Sequence, residues 1–227
     1  MIKTILTKTN NCLGFIQKNG IKDFLNELSY RISNQYYENK YGVNTSGMIK
    51  MADLGYNDPD FIDYGPIGYK DILAIIKLIP LDLNNAVFVD YGSGMGRAIV
   101  AAATFPFKRV IGIEISDKLI EISSKNIRVM KHKRAKIVEC LNLDATKYRL
   151  DEDINLIYFF NPFKGAVLEK VINNIFISYN ISPRIIYIIY FNSIHFENAI
   201  MNFQWISKIY ETWFYPNYSC RVYRTEG

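Results

Sequence analysis

The chain has few of the residues that cross-link small secreted proteins or hold metals. Its 227 residues include only 3 cysteines and 2 histidines, and Cys12, Cys140 and Cys220 never form a C-x-x-C pair. Widely spaced cysteines in odd number predict neither a disulfide framework nor a zinc site, and we predict no bound metal. A reducing, cytoplasmic setting is therefore expected.

Long apolar runs and a concentrated charge are missing as well. The N-terminal 15 residues contain no apolar stretch of signal-peptide length, and the longest later run, around residues 185–191, is too short to cross a bilayer. We predict no membrane or targeting segment. The net charge of +5 is spread over many lysines. Such a charge favours phosphate-bearing partners only weakly, so nucleic acid is an open but disfavoured partner.

From about residue 81 onward, β-branched and aromatic runs alternate with helical patterns, which is typical of a parallel sheet covered by helices on both faces. Strands are predicted at 86–91, 109–115, 136–140, 155–160 and 184–191, and helices at 97–104, 117–130 and 165–179. A helix near 196–203 precedes two last strands, 205–214 and 218–224. Their three-residue connection requires an antiparallel pair.

The first 66 residues follow a different pattern. A helix is predicted over 21–31, and the stretch 36–69 is rich in Gly, Asn and Tyr without periodicity. A helix over 69–79, stopped by Pro80, leads into the first strand. We therefore predict two parts: a cap or substrate-binding extension, residues 1–66, over the ligand-binding edge of the sheet, and a main domain, residues 67–227.

A glycine-rich loop directly follows the first predicted strand, where residues 90–97 read DYGSGMGR. Glycines here allow a sharp turn and let a ligand approach backbone N–H groups at a helix N-terminus. The spacing departs from the dinucleotide fingerprint G-x-G-x-x-G, whose third glycine is replaced by Arg97. Asp90 would also repel the pyrophosphate of NAD. An NAD-dependent oxidoreductase is thus a disfavoured alternative.

This loop resembles the first motif of class I S-adenosylmethionine (SAM)-dependent methyltransferases, (Asp/Glu)-x-Gly-x-Gly-x-Gly, and the similarity covers roughly residues 81–224. The resemblance implies a Rossmann-like α/β fold: a seven-stranded, mostly parallel sheet with a terminal antiparallel hairpin, to which this chain adds an N-terminal helical cap. It implies SAM as the cofactor and S-adenosylhomocysteine as the product. Asp90 would bind the amino group of SAM. Glu114 would accept hydrogen bonds from the ribose hydroxyls, and Asp144 would accept one from the adenine amino group. The expected cofactor-binding residues are Tyr69, Asp90, Gly92, Ser93, Gly94, Gly96, Glu114, Ile115, Asp144, Ala145 and Asn161.

The sequence FFNPF at 159–163 follows the fourth strand. It resembles the Asn/Asp-Pro-Pro-Phe/Tyr motif of methyltransferases that act on planar amino or amide nitrogens. The resemblance implies that the Asn161 side chain and the Pro162 carbonyl accept hydrogen bonds from the target nitrogen, while Phe163 stacks on the substrate. The second proline is missing here, which disfavours a nucleic-acid base. Asn161 before Pro162 also fits a helix cap with proline at the first helical position.

Several aromatic and charged residues outside these motifs are candidates for the site. Tyr64 and Tyr69 could close over the methionine part of SAM, with packing of an aromatic cap on the sheet as the alternative. His195, just beyond the fifth strand, is the first candidate for a general base. Asp63 and Glu197 are the next candidates. The basic residues within 131–136 predict a solvated helix end or a phosphate contact.

Together these features predict a SAM-dependent methyltransferase that transfers a methyl group to a nitrogen or oxygen nucleophile of a small molecule, a sugar or a protein side chain. The alternatives are RNA methylation and a catalytically inactive SAM-binding partner subunit. A weaker similarity, in residues 90–97 and the Tyr-rich segment before them, is to stand-alone bacterial methyltransferases of unassigned substrate. More distantly, the chain is similar to the non-SET histone-lysine methyltransferases.

Overall fold

The computed structural model describes residues 2–192, 194–201 and 203–226, with side chains described from Ile16 onward apart from Ile194. Seven strands are present: β1 (Val87–Tyr91), β2 (Arg109–Glu114), β3 (Ile137–Asn142), β4 (Leu156–Phe160), β5 (Tyr187–Phe191), β6 (Ile206–Phe214) and β7 (Tyr218–Thr225). In the described part of the chain, six α-helices accompany them: α1 (Ile2–Tyr41), α2 (Tyr69–Leu78), α3 (Arg97–Ala103), α4 (Asp117–Val129), α5 (Gly165–Ile181) and α6 (Ile194–Ile200).

All seven strands form one sheet in the order β3-β2-β1-β4-β5-β7-β6. The strands from β3 to β5 are parallel, whereas β7 runs antiparallel to both β5 and β6. The predicted fold, including the terminal hairpin, is confirmed. The chain first builds outward from β1 to β3 and then crosses back to β4. In such sheets, ligands bind where the strand order reverses, outside the carboxyl ends of the strands.

Two apolar layers cover the sheet. Side chains of β1 alternate between them: Phe88 packs with α2 and α3, and Val89 packs with α5 and α6. All five residues of β1 and of β5 are buried, which explains their unbroken apolar sequences. Helix α4 begins after Ser116, whose hydroxyl accepts a hydrogen bond from Leu119 N and so caps the helix.

The N-terminal part differs from the prediction. Helix α1 continues to Tyr41 instead of ending at residue 31, and it is interrupted at Gly20, which has non-helical backbone angles. Its last turns are held by tertiary contacts, among them Asn34 Oδ1, which accepts a hydrogen bond from Tyr69 N at 3.0 Å. These partners lie far away in the sequence, so local periodicity does not reveal them. Residue 202, within the predicted helix 196–203, lies outside the described residues.

We name residues 48–67 the strap, because they cross the carboxyl edge of the sheet. Two isolated antiparallel bridges fix its course: Ile49 pairs with Tyr64 inside the strap, and Phe61 pairs with Phe163 after β4. Cys140 and Cys220 are free thiols, and the Cys12 side chain is not among the described ones. Within the described part of the chain, no helix is both long and apolar enough to cross a membrane.

Candidate active site

A cavity of about 300 Å³ opens at the carboxyl ends of β1, β2, β4 and β5, beneath the strap. One end is lined by residues at or just after the ends of β2 and β3, including Glu114 and Asp144. The other end is lined by residues that follow β4 and β5 and by Tyr218 of the hairpin. The predicted site residues that line this cavity are Asp90, Gly92, Ser93, Gly94, Glu114, Ile115, Asp144, Ala145, Asn161, Pro162 and Phe163.

The glycine loop between β1 and α3 requires its glycines. Gly92 and Gly94 have positive φ angles of 73° and 54°. Residues that carry a Cβ rarely adopt this backbone conformation. A Cβ on Gly92 would lie 2.3 Å from Pro162 Cβ, and a Cβ on Gly94 would lie 2.2 Å from the Tyr64 ring. The loop is thus pressed between the segment after β4 and the strap.

Glu114 holds the glycine loop from the neighbouring strand. Its carboxylate accepts hydrogen bonds from Gly94 N at 2.9 Å and from Ser116 N at 3.0 Å. Burial raises the pKa of Glu114, while these backbone N–H groups oppose the rise. A carboxylate has about four acceptor sites, so two bonds leave capacity for hydroxyl donors of a ligand.

Asp90 lines the same cavity and is only 3% exposed. Its carboxylate receives no hydrogen bond from any residue that the structure describes. Burial, and next the nearby Glu114, raise the pKa of Asp90 well above its usual range. An unpartnered buried acid is costly for the folded protein, and a ligand amino group would satisfy it.

Asp144 begins the short turn after β3. Its Oδ1 accepts hydrogen bonds from Thr146 N at 2.9 Å and from the Thr146 hydroxyl at 2.8 Å. Its Oδ2 lies 3.9 Å from Lys147 Nζ. Beside it, the Ile115 carbonyl accepts a hydrogen bond from the Tyr56 hydroxyl at 2.8 Å, so the strap is fixed at this end of the cavity too.

The segment after β4 differs from the helix-cap alternative. Helix α5 begins at Gly165, so Asn161 does not cap it, and Asp60 of the strap instead accepts a hydrogen bond from Ala166 N at 2.9 Å. Asn161 has a positive φ of 43°, and its Oδ1 is buried without a hydrogen-bond partner. The Pro162 carbonyl accepts a hydrogen bond from Ile62 N at 3.1 Å. The strap therefore uses the carbonyl that the resemblance assigned to the substrate.

Three predicted site residues are not brought to the cavity. Gly96 ends the glycine loop behind it, where a Cβ would contact Ser123 at 3.0 Å. Tyr69 is fully buried in the apolar layer of α2 and α3. This position agrees with the alternative in which Tyr69 packs on the sheet. His195 is exposed on α6 and lines a separate shallow depression with Glu169 and Asn198.

The candidate bases named after His195 have different surroundings. Asp63 is exposed at the cavity, and its carboxylate accepts a hydrogen bond from Met51 N at 2.9 Å. Glu197 forms ion pairs with Arg221 at 3.1 Å and Lys208 at 3.6 Å, on the side of the hairpin. Ser93 lies in the cavity wall, but its hydroxyl is buried beside the Gly112 backbone.

Comparison with known sequences decides the family. A sequence model described as "Histone methylation protein DOT1" matches residues 56–213, more than half of the chain. The chain belongs to the DOT1 family. It is accordingly a SAM-dependent methyltransferase with SAM as its cofactor. No curated protein sequence matches the chain significantly.

Solved structures that resemble this DOT1-family chain agree on the fold. An RNA methyltransferase from Salinibacter ruber, in complex with S-adenosylhomocysteine, is 19% identical, with a TM-score of 0.51 over 70% of this chain and 92% of that one. A SAM-dependent methyltransferase from Aquifex aeolicus is 12% identical, with a TM-score of 0.54 over 69% and 90%. A ribosomal protein L11 methylase from Lactobacillus delbrueckii is 14% identical, with a TM-score of 0.51 over 70% and 77%.

Sequence reasoning missed the residue that joins the N-terminal part of the DOT1-family chain to the glycine loop. Arg97 is 4% exposed and donates to the Thr45 hydroxyl at 2.8 Å, the Ser46 hydroxyl at 2.8 Å and the Ile67 carbonyl at 3.0 Å. Its guanidinium also pairs with Glu38 at 3.1 Å and lies 4.8 Å from the centre of the Tyr69 ring. The nearest signal in the sequence was that Arg97 replaces the third glycine of the dinucleotide fingerprint.

Proposed function

We propose that this enzyme transfers the methyl group of SAM to an amino nitrogen of a protein side chain or a small molecule. The charge of the cavity carries the proposal. Among the described residues, four acids line it: Asp63, Asp90, Glu114 and Asp144. The single cationic side chain in that described lining, Arg97, is committed to Glu38 and to uncharged acceptors of the N-terminal part. Asp90, Glu114 and Asp144 would bind SAM, so Asp63 is the acid that remains to favour an amine acceptor over a phosphate-bearing one.

The residues at the first end of the cavity fit SAM. Asp90 offers an unpartnered carboxylate to the amino group of the methionine part, and Glu114 keeps acceptor capacity for the ribose hydroxyls. Asp144 and Ala145 lie beyond it, where the adenine would be held, and the backbone of Gly92 and Gly94 allows close approach. SAM supplies a methyl group bound to a positively charged sulfur, which a nucleophile displaces directly.

The residues at the second end would bind the acceptor. Aromatic walls from Phe160 and Tyr218, whose ring centres are 5.2 Å apart, exclude water around the acceptor nitrogen. The Asn161 amide, which has no partner among the described residues, would take an N–H of the acceptor. Because Pro162 is already bonded to the strap, we do not assign its carbonyl to the substrate, and the exposed His195 has no part in this proposal.

Calorimetry tests the cofactor half of the proposal. We expect micromolar binding of SAM and S-adenosylhomocysteine, no binding of NAD, and loss of binding in Asp90→Ala and Glu114→Ala. Glu169→Gln, which changes an exposed acid outside the cavity, is the control. Retained binding in both cavity variants would remove these residues from the SAM site.

Transfer of tritium from labelled SAM tests the acceptor half. The panel contains lysine-bearing peptides, small primary amines, sugars and total RNA. We expect label on the amines alone. Label on RNA alone would overturn the amine proposal in favour of RNA methylation. SAM binding without label on any acceptor, including those in a cell extract, would favour a catalytically inactive partner subunit.

A further inference from the structure

Two asparagines occupy equivalent positions at the acceptor end of the cavity. Phe160 of β4 and Phe191 of β5 are register partners, and each is followed by an asparagine, Asn161 and Asn192. Paired strands lie about 4.8 Å apart, so these two residues are neighbours across the sheet edge. Both have left-handed backbones, with φ of 43° and 54°, and both line the cavity.

Neither asparagine uses its side chain to hold the protein together. The Asn192 backbone is fixed, since its N–H donates to the Ser219 carbonyl at 2.9 Å, but its amide group has no hydrogen bond to any described residue. The same is true of Asn161, whose Oδ1 is buried and unpartnered. Rotation about the last side-chain bond can therefore present either amide oxygen to a ligand without breaking a protein hydrogen bond. Two neighbouring amides that line a cavity without hydrogen-bond partners leave polar groups for a ligand to satisfy.

We propose that Asn161 and Asn192 together hold the two N–H groups of a primary amino acceptor, with Asn192 as a second positioning residue. This inference rests on the proposed function above. Two acceptors that hold both N–H groups of a neutral amine leave its lone pair as the only direction free for reaction. The two asparagines thus select primary amines and direct the nitrogen lone pair towards the methyl group of SAM.

The transfer balances without a further reactant. The acceptor ammonium first loses a proton to water and becomes a neutral amine. Its nitrogen lone pair then forms the bond to the methyl carbon, while the electrons of the broken carbon–sulfur bond stay on sulfur. The product, a protonated methylamine, releases a proton to water. As a neutral secondary amine it keeps only one N–H, so one asparagine would remain unpaired in a second transfer, and we expect single methylation.

A binding probe tests the pair without knowledge of the natural acceptor. The probe is an analogue of S-adenosylhomocysteine in which nitrogen replaces sulfur and carries an aminopropyl arm. The comparators carry a propyl arm or a dimethylaminopropyl arm, the latter with a single N–H when protonated. Hydrogen bonds to a charged group are strong, so we expect the primary amine to bind at least about tenfold more tightly than either comparator.

Three variants separate a positioning role from a structural one. Asn192→Gly suits the positive φ and removes the amide, so it should fold normally, bind the propyl comparator unchanged and lose most of the advantage of the amine. Asn192→Asp restores an acceptor and should retain that advantage. Asn198→Ala, on the exposed surface of α6, is the control.

The outcomes distinguish this inference from the proposed function. A full amine advantage in Asn192→Gly, or equal binding of the primary and dimethyl amines, would overturn the role of Asn192 while leaving the amine acceptor intact. No amine advantage in the wild type would overturn both the amine acceptor and this inference. Failure of the propyl comparator and of S-adenosylhomocysteine to bind would overturn the SAM site itself.

Discussion

At the scale of single residues, Asp90 is a buried acid whose charge the ligand-free protein does not compensate. Burial and the neighbouring Glu114 raise its pKa, so the folded state holds this proton more tightly than the unfolded chain. The cost of the charge therefore grows as the pH rises from the usual Asp range through the raised pKa, by about 1.4 kcal/mol for each pKa unit. We expect Asp90→Asn to raise the melting temperature of the ligand-free protein, more at about pH 8 than at about pH 5.

The same substitution should weaken the binding of S-adenosylhomocysteine, because a neutral amide replaces the carboxylate that would bind the ammonium group of this ligand. In the wild type, affinity should fall as the pH drops through the raised pKa, and this dependence should disappear in Asp90→Asn. Calorimetry across the pH range measures both effects. A lower melting temperature of Asp90→Asn at about pH 8 would show that the folded protein does compensate the charge.

Gly92 offers a second prediction, for which the chain supplies a matched control. Gly55 also has a positive φ, of 90°, but a Cβ there meets no heavy atom within 4 Å, whereas a Cβ on Gly92 lies 2.3 Å from Pro162 Cβ. An alanine is strained by the positive φ at both positions, and only Gly92→Ala adds a steric clash. We expect Gly92→Ala to lower the free energy of unfolding by about 1–3 kcal/mol more than Gly55→Ala, measured by urea denaturation. Equal losses would mean that the Pro162 segment yields easily.

At the scale of elements, a buried ion pair connects α1 to α3. Glu38 Oε1 accepts bonds from Arg97 Nη2 at 3.1 Å, from Thr45 N at 2.8 Å and from the Thr45 hydroxyl at 2.6 Å. Removal of one partner leaves a buried charge, so we expect Glu38→Gln to cost about 3–5 kcal/mol of unfolding free energy. Because Arg97 directly follows the glycine loop, the affinity for S-adenosylhomocysteine should fall as well.

The control for this ion pair lies on the same helix. The half-buried Glu27 and the exposed Arg31 form a pair one turn apart, and such pairs contribute about 0.3–0.5 kcal/mol. Glu27 also accepts a hydrogen bond from the Tyr215 hydroxyl at 3.2 Å, which a glutamine oxygen can still accept. Glu27→Gln should therefore change stability little and leave ligand affinity unchanged. If Glu38→Gln behaved in the same way, the network around Arg97 would not hold the N-terminal part to the glycine loop.

The elements also show which parts of the structure the sequence predicts. Strands such as β1 and β5 were found within a few residues because their β-branched and aromatic runs are buried on both faces. The glycine loop was found because its backbone conformation requires glycine at fixed positions. The end of α1 was missed, since it depends on contacts such as that of Asn34 with Tyr69 N. Nor does any local pattern predict that Tyr64 lies against Gly94.

At the scale of the whole molecule, the cavity joins the strap to the sheet. The strap supplies its roof, and its Ile62 N–H and Tyr64 N–H are bonded to the Pro162 and Ile49 carbonyls. A ligand bound between both parts should stabilise both, by about 2.7 kcal/mol of unfolding free energy at a concentration of one hundred times Kd. We expect S-adenosylhomocysteine to slow amide hydrogen exchange in residues 60–64 as well as in residues 90–96 and 114–116.

Exchange in β6, at the far edge of the sheet, provides the internal reference, because this strand contributes nothing to the cavity lining. A ligand that binds to the sheet edge alone would protect residues 90–96 and 114–116 while leaving residues 60–64 unchanged. That result would limit the strap to acceptor binding and would support the predicted division of the chain near residue 66. Joint protection would instead mean that the SAM site itself is built from both parts, because strap residues as well as sheet-edge residues line the cavity.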